Sequence, residues 1–254
     1  VTTTVSLVNS SPAGVAQLTT TAGSGSSRTV TIAVGQSRSP GTVPSGGVAF
    51  DPLLAGTVDV QATAAGVVSL PAATQGVTVS APTLAVNAST ARVGAGLQYG
   101  AFSLSLSTPA PAGGVTVTLA NSNPTILKLA PDATTPGTNT LTFNLTAGQG
   151  SATFFLQGVE GQSGTATLTA SAPGYTDSPP ATVTVASVAL ALTGVPGSTT
   201  TLAADSPFQV YLGALNAAGT GFYAAQPIRV GGSAVTATVS LVHSSPAGVA
   251  QLTT

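Results

Sequence analysis

The chain has 254 residues, of which only 4% are charged, and its formal net charge is −1. A typical soluble domain carries about 25% charged residues, so this composition argues against a basic surface for nucleic acid or an anionic membrane. The absence of cysteine excludes disulfides, cysteine-ligated zinc and thiol catalysis. No apolar run approaches the roughly 20 residues that a membrane-spanning helix needs, so no membrane insertion is expected within this segment.

The first segment, residues 1–80, consists of short apolar runs separated by turn residues. In these runs Val, Ile, Leu and Ala alternate with Thr, Ser and other polar residues. Such period-two alternation predicts β-strands with one buried face. The candidate strands read GVAQL, RTVTIAV, GVAF, TVDVQATAAG and GVTVS.

The middle segment, residues 81–186, shows the same alternation more regularly. Turn clusters rich in Gly, Pro, Asn and Asp separate the runs, and no helix is predicted. The eight predicted strands lie at 83–88, 101–107, 114–120, 125–129, 139–146, 152–157, 164–171 and 181–186. Short strands at this spacing are typical of an antiparallel β-sandwich, so we expect one complete sandwich here.

The last segment, residues 187–254, begins a second set of strands with VALALTG, PFQVYLGA and VTATVSLV. It ends by repeating the start of the chain, because 235–254 reads as 1–20 except for Ala237 in place of Thr3 and His243 in place of Asn9. The offset between the two copies is 234 residues. Near-identity at a fixed offset indicates one period of a tandem array.

These observations predict an array of two alternating sandwiches. The 254 residues begin inside one of them, so that domain is divided between the two ends of the sequence. Residues 1–80 would be the C-terminal part of a split domain, 81–186 a complete domain, and 187–254 the N-terminal part of the next copy of the split domain. The two domain types also match each other in pattern. VTVTLANSNPTILKLA at 115–130 and the repeated end at 235–252 both read as strand, polar turn with proline, strand.

The stretch from TVTLANSNP through TLTFNLTAG and SATFFLQG to GTATLTASAPGYTDSPPATVTV resembles the bacterial immunoglobulin-like (BIg-type) domains of giant tandem-repeat surface proteins and adhesins. The resemblance implies an all-β fold of tandem antiparallel Ig-like β-sandwiches, with no helices of note. It also implies a bacterial stalk, adhesin or surface fibre at the outside of the cell. Such families share no catalytic residues, so none is carried over.

The titratable residues of the sequence are few and scattered, with no nucleophile or acid–base arrangement that an enzyme would need. We therefore expect no enzyme activity, no catalytic residue, no cofactor and no metal site. Calcium would require clustered oxygen ligands, and Asp132 and Asp177 are the best single candidates. His243 replaces Asn9 between the copies, which favours a solvated turn residue over a catalytic histidine.

Two groups of surface residues remain as candidate sites. Asn9, Asn87 and Asn144 begin N-x-S/T sequons and are candidate glycosylation sites, the last two predicted to be exposed. Tyr175 and Tyr223 are predicted to lie in loops, where they are candidate contact residues for sugars or for neighbouring domains.

The leading hypothesis is a structural segment of a long extracellular fibre, stalk or sheath, giving reach, attachment and cell-surface cohesion. Its partners would be copies of itself, namely preceding and following repeats and lateral neighbours. One alternative is a subunit of a filament that assembles by strand exchange between short chains. A glycan-binding adhesin module is a second alternative. The outward rows of Thr also suggest an ice-binding surface, which is a minor alternative.

Overall fold

The computed structural model describes residues 1–242 and 249–253 and divides the chain into two compact units, Val1–Pro82 and Thr83–Thr254. Strands dominate both units, and the helical elements among the described residues are 3₁₀ turns at Val43–Ser45 and Pro71–Ala73. The expected all-β class with antiparallel sheets is therefore confirmed. Within these same ranges, no helix has the length and apolar character that crossing a bilayer requires.

Two small sheets form the unit Val1–Pro82. Its strands are β1 (Thr2–Ser11), β2 (Ala16–Thr20), β3 (Gly23–Gly25), β4 (Ser27–Thr31), β5 (Ala49–Pro52), β6 (Gly56–Thr63) and β7 (Thr74–Val79). One sheet has the order β4-β1-β6-β7 and the other has the order β3-β2-β5, with every pair antiparallel. Buried Val5, Leu18 and Val30 form a core cluster against which Leu7 and Phe50 pack half-buried.

The second unit begins with a two-sheet sandwich. Its strands are β8 (Leu84–Asn87), β9 (Arg92–Gly94), β10 (Gln98–Leu106), β11 (Val115–Asn121), β12 (Leu127–Ala130), β13 (Thr140–Leu145), β14 (Ser151–Gly158), β15 (Gly164–Ser171) and β16 (Ala181–Ala186). The sheets have the orders β12-β14-β10-β8 and β13-β11-β15-β16-β9. Apolar residues of both sheets form one buried cluster, which makes this segment a sandwich.

Alternation along the strands accounts for this core. In β15, Ala166, Leu168 and Ala170 are buried while the threonines between them face outward or are half-buried. Full burial of a leucine side chain such as Leu168 contributes about 1.5–3 kcal/mol to folding. All eight strands expected in 81–186 are present. Strand β9 was not predicted, and it pairs parallel to β16, which departs from a purely antiparallel pattern.

A three-stranded antiparallel sheet follows the sandwich within the second unit. Its strands are β17 (Val188–Thr193), β18 (Gln209–Leu215) and β19 (Phe222–Ala225), in that order.

The predicted strand VTATVSLV at 235–242 is absent, so that prediction was wrong. The near-identical sequence at the start of the chain forms β1 because β4 and β6 pair along its two edges. Residues 235–242 have no such pairing among the described residues. His243 lies outside the described residues.

Replacing Leu168 with alanine should lower the free energy of unfolding of the sandwich by about 2–5 kcal/mol, because the side chain is fully buried and the change leaves a cavity. Leu202→Ala is the matched control, since Leu202 is 96% exposed and its loss should change stability by less than about 0.5 kcal/mol. Urea unfolding, monitored by tyrosine fluorescence, compares the two variants. Equal effects would contradict the assignment of Leu168 to the core.

Candidate assembly surfaces

Six strands of the first unit are arranged like six strands of the sandwich. The order β4-β1-β6-β7 matches β13-β11-β15-β16, and the antiparallel pair β2-β5 matches β12-β14. In the sandwich the sheet continues from β14 to β10 and β8, whereas β5 ends its sheet. The first unit therefore lacks counterparts of β8 and β10 in this sheet, and of β9 at the edge of the other sheet.

The missing strands leave the inner face of the first unit thinly covered. Val60 and Val77 point from β6 and β7 toward the unit's cores but are only half-buried, like Leu7 and Phe50. The corresponding strands of the sandwich, β15 and β16, bury their inner residues fully, as Leu168 and Val183 show. An edge strand beside exposed apolar surface is a template for pairing with another chain segment.

A partly exposed apolar face lies on the hairpin formed by β17 and β18. Its cross-strand pairs are Leu190 with Leu212 and Leu192 with Val210. Leu190 and Leu192 are each 50% exposed, and Val210 is 37% exposed. In the sandwich, the antiparallel neighbours β8 and β10 pair Leu84 with Leu106 and Val86 with Leu104, and all four side chains are buried.

An open cavity of about 500 Å³ adjoins the first of these pairs. Leu190 and Leu212 line one side, and Leu97, Ile228 and Val235 contribute further apolar lining. Apolar side chains that border an open cavity forfeit part of the packing energy that a closed core provides.

A buried glutamine joins the three-stranded sheet to the sandwich within the second unit. The Gln226 side chain is 4% exposed. Its Nε2 donates to the carbonyl oxygen of Arg92 (2.8 Å), and its Oε1 accepts from the N–H of Gly94 (2.8 Å). Arg92 Nε in turn donates to the carbonyl oxygen of Leu215 (2.9 Å). These bonds satisfy backbone groups at the edge of β9 and fix the following segment there.

Aromatic rings reinforce this junction. Tyr223 contacts Tyr99 edge to face (5.8 Å between ring centroids), and Tyr99 contacts Phe102 in the same way (5.4 Å). Phe102 lies 5.9 Å from the fully buried Phe154. Edge-to-face pairs contribute about 0.5–1.5 kcal/mol beyond burial of area. The loop predicted for Tyr223 is wrong, since this residue belongs to strand β19.

Tyr175 does lie in a loop, but its side chain is directed inward. It packs half-buried against the sandwich core, and its hydroxyl donates to the carbonyl oxygen of Thr108 (2.8 Å). The side chain therefore holds two loops at one end of the sandwich together. Tyr175 and Tyr223 are not brought into a common site.

All three sequon asparagines are exposed. Asn9 Nδ2 donates to Asp59 Oδ2 (2.8 Å), and Asn87 Nδ2 donates to Ser103 Oγ (3.0 Å). Asn144 Oδ1 accepts from Thr116 Oγ1 (2.9 Å). Each amide is thus engaged with a neighbouring strand while remaining open to solvent.

The carboxylates of the described residues are dispersed, and no group of three or more His, Cys, Asp or Glu side chains is positioned there to hold a metal ion. Asp177 is exposed in the loop before β16. Asp132 folds its own loop, accepting from the Thr134 N–H (2.7 Å), Thr134 Oγ1 (2.8 Å) and Thr135 Oγ1 (2.9 Å). The Thr134 hydroxyl, with the Thr134 N–H and the Thr135 hydroxyl, holds the pKa of Asp132 below its ordinary value.

Sequence reasoning missed the buried glutamines. Gln98, Gln157 and Gln226 are all buried. Gln157 Nε2 donates to Gln98 Oε1 (3.2 Å) and to the carbonyl oxygen of Thr135 (2.9 Å), which ties the Asp132 loop to the sheet. Gln157 lies on the face of β14 opposite the buried Phe154 and Leu156, where a polar residue follows the alternation, so the sequence carries no signal of its burial.

No protein-family model and no curated protein matches the sequence. Among solved structures, the chain is similar to domains 4 and 5 of the S-layer protein SbsC (20% identity, TM-score 0.29), covering 53% of this chain and 67% of that one. Domains 1–6 of the same S-layer protein (20%, TM-score 0.32) match 73% of this chain and 22% of that chain. A beta-glycosidase from Bacteroides vulgatus (16%, TM-score 0.29) matches 67% and 21%. Structural similarity at TM-scores this low does not indicate a shared function.

Replacing Gln226 with alanine should destabilise the junction by roughly 1–3 kcal/mol, because the buried N–H of Gly94 and the carbonyl of Arg92 would lose their partner. Gln162→Ala is the control, since Gln162 is exposed. Hydrogen exchange of residues 92–98 and 222–226 measures the effect. Equal protection in the two variants would contradict a structural role for Gln226.

The Asp132 carboxylate should remain ionised to a lower pH in the folded protein than in a peptide of residues 130–138. A lowered folded pKa stabilises the loop at pH values above the unfolded pKa, and this contribution is lost as pH falls through the folded pKa. The Thr134 amide shift, followed by NMR during acid titration, reports the midpoint. A midpoint at or above that of the peptide would contradict the role of the threonine hydrogen bonds, and Asp132→Asn should abolish the transition.

Proposed function

We propose that this chain is a structural segment of a long extracellular fibre, stalk or sheath built from tandem β-sandwich repeats of 234 residues. Its role is reach, attachment and cohesion at the cell surface, and its partners are further copies of the same repeat. The observation that carries the proposal is the recurrence of residues 1–20 at 235–254 with two differences.

The surface chemistry of the chain supports this role. Charged residues make up 4% of the sequence, so neighbouring copies experience little electrostatic repulsion. The outward-facing side chains are largely Thr, Ser, Ala and Gly, which lose little conformational entropy when they become ordered at a contact. Surfaces of this kind favour close association between repeats.

A filament of short chains joined by strand exchange is the second candidate, and the open edge at β5 favours it. A neighbouring chain could add a strand there, as in other cases of β-strand addition. Glycan binding has less support, because Tyr175 uses its hydroxyl to bind Thr108 and Tyr223 packs on Tyr99.

The length of the native polypeptide separates the two candidates. A strongly denaturing gel combined with peptide mass spectrometry should show a chain many times larger than 24.3 kDa. It should also yield peptides in which QLTT at 251–254 continues into a copy of TAGSGSS. A single denatured species near 24.3 kDa would contradict the tandem fibre and favour the strand-exchanged filament.

A further inference from the structure

We propose that the open sheet of Val1–Pro82 is completed by the β17–β18 hairpin, Val188–Leu215, of an adjacent repeat. The completed sheet would have the order β2-β5-β18-β17, equivalent to β12-β14-β10-β8 of the sandwich. This inference rests on the proposed tandem arrangement, which supplies the hairpin. The match between the hairpin and the edge at β5 rests on strand order, pairing and burial.

Strand order identifies what the first unit needs. Six of its strands, β1, β2, β4, β5, β6 and β7, have counterparts in the sandwich with the same neighbours. Three sandwich strands, β8, β9 and β10, have no counterpart in the first unit, and two of them, β8 and β10, are antiparallel partners in one sheet. The β17–β18 pair is likewise antiparallel, so it provides counterparts of β8 and β10 as one hairpin.

The position of the hairpin in the sequence agrees with this equivalence. Leu84 of β8 lies four residues after VTVS at 77–80, and Leu190 of β17 lies four residues after VTVA at 183–186. Both leucines therefore follow the last strand of a preceding domain at the same spacing. In this alignment Leu190 is equivalent to Leu84, and Leu192 is equivalent to Val86.

The cross-strand pairs then coincide as well. Leu190–Leu212 corresponds to Leu84–Leu106, and Leu192–Val210 corresponds to Val86–Leu104. In the sandwich these four side chains fill the core, but in the hairpin three of them are at least 37% exposed. The exposed side chains have the chemistry and spacing of core residues. The face that would cover them is the half-buried inner face of the opposing β4-β1-β6-β7 sheet, which carries Leu7, Val60 and Val77.

The free edges are also compatible. Strand β19 pairs with the end of β18 at Gly213–Leu215, and the N–H of Gln226 donates to the carbonyl oxygen of Leu212 (3.0 Å) on the same edge. The preceding residues of β18, from Gln209 to Leu212, pair with β17 along the other edge. Strand β5 is therefore able to approach the beginning of β18 and the segment before it without displacing β19.

The segment that repeats part of the first unit differs from the segment that complements it. The repeated end, 235–254, duplicates β1 and β2, which the first unit already has. The element that complements the first unit is instead 188–215, which has no copy within residues 1–82. The repeat of residues 1–20 at 235–254 is therefore compatible with strand addition, because a different segment supplies the added strands.

The inference is tested with a chain lengthened by a second copy of residues 21–80 placed after Thr254. In this chain the hairpin is followed by every strand that the split sandwich requires. Amide hydrogen exchange of residues 204–211 should slow by about a hundredfold or more relative to the 254-residue chain, because β5 of the added copy would pair there. Exchange in β15 of the sandwich serves as the reference for folding in both chains.

Two substitutions in the lengthened chain make the test specific. Leu192→Asp should return exchange at 204–211 to the rate in the original chain, since it places a charge in the completed core. Leu202→Asp, at a position 96% exposed, should leave the slow exchange unchanged. In the original chain, where Leu192 is half exposed, Leu192→Asp should have little effect on residues 204–211.

Unchanged exchange on lengthening, with β15 still protected, would overturn the inference, as would slow exchange that survives Leu192→Asp. These outcomes are independent of the proposed function. A giant native polypeptide without added protection would leave the fibre proposal standing and refute only this pairing. A native chain near 24.3 kDa with added protection would refute the tandem fibre and retain the pairing.

Discussion

Coverage of one face of each sheet by a second sheet is the constraint on which this structure depends. With no cysteine and with 4% charged residues, the chain relies on apolar burial for its stability. Where both sheets are complete, as between β8 and β16, residues such as Phe154 and Leu168 are fully buried. Where a sheet stops early, as at β5, the same types of residue are only partly covered.

The repeated sequence shows how far strand formation depends on partners. Residues 1–8 and 235–242 differ at a single position, Thr3 and Ala237. The first copy forms most of β1, paired with β4 and β6, and the second forms no strand. Strand propensity is identical to within one residue, so the difference arises from pairing and burial. This agrees with the general view that β-propensity reflects context more than backbone preference.

Alternation in the sequence was sufficient to predict the eight strands of the middle segment, because each has a buried face with a period of two residues. It failed for β9, since Arg92–Gly94 is too short to show a period. It also failed for β19, a strand of four residues, because the sequence GTGFYAAQP predicts a loop at Tyr223. The repeat predicts a split domain in residues 1–80 and 187–254, but it could not locate the edge at β5 or the apolar face of β17 and β18, since a missing neighbour appears only when strand order is known. Nor could sequence reasoning anticipate that the Gln226 amide would substitute for a backbone partner at β9.

The parallel pairing of β9 with β16 has a mechanical consequence. Thr90, Thr184 and Ala95 donate in turn to the carbonyls of Thr182, Ala91 and Ala186, each at 2.9 Å, and link a strand near the start of the sandwich to its last strand. Because the two strands run in the same direction, a pull on the two ends of the domain slides one strand along the other. The linking hydrogen bonds are then strained together, whereas peeling an antiparallel hairpin breaks its bonds one after another. This geometry resists tension along the chain.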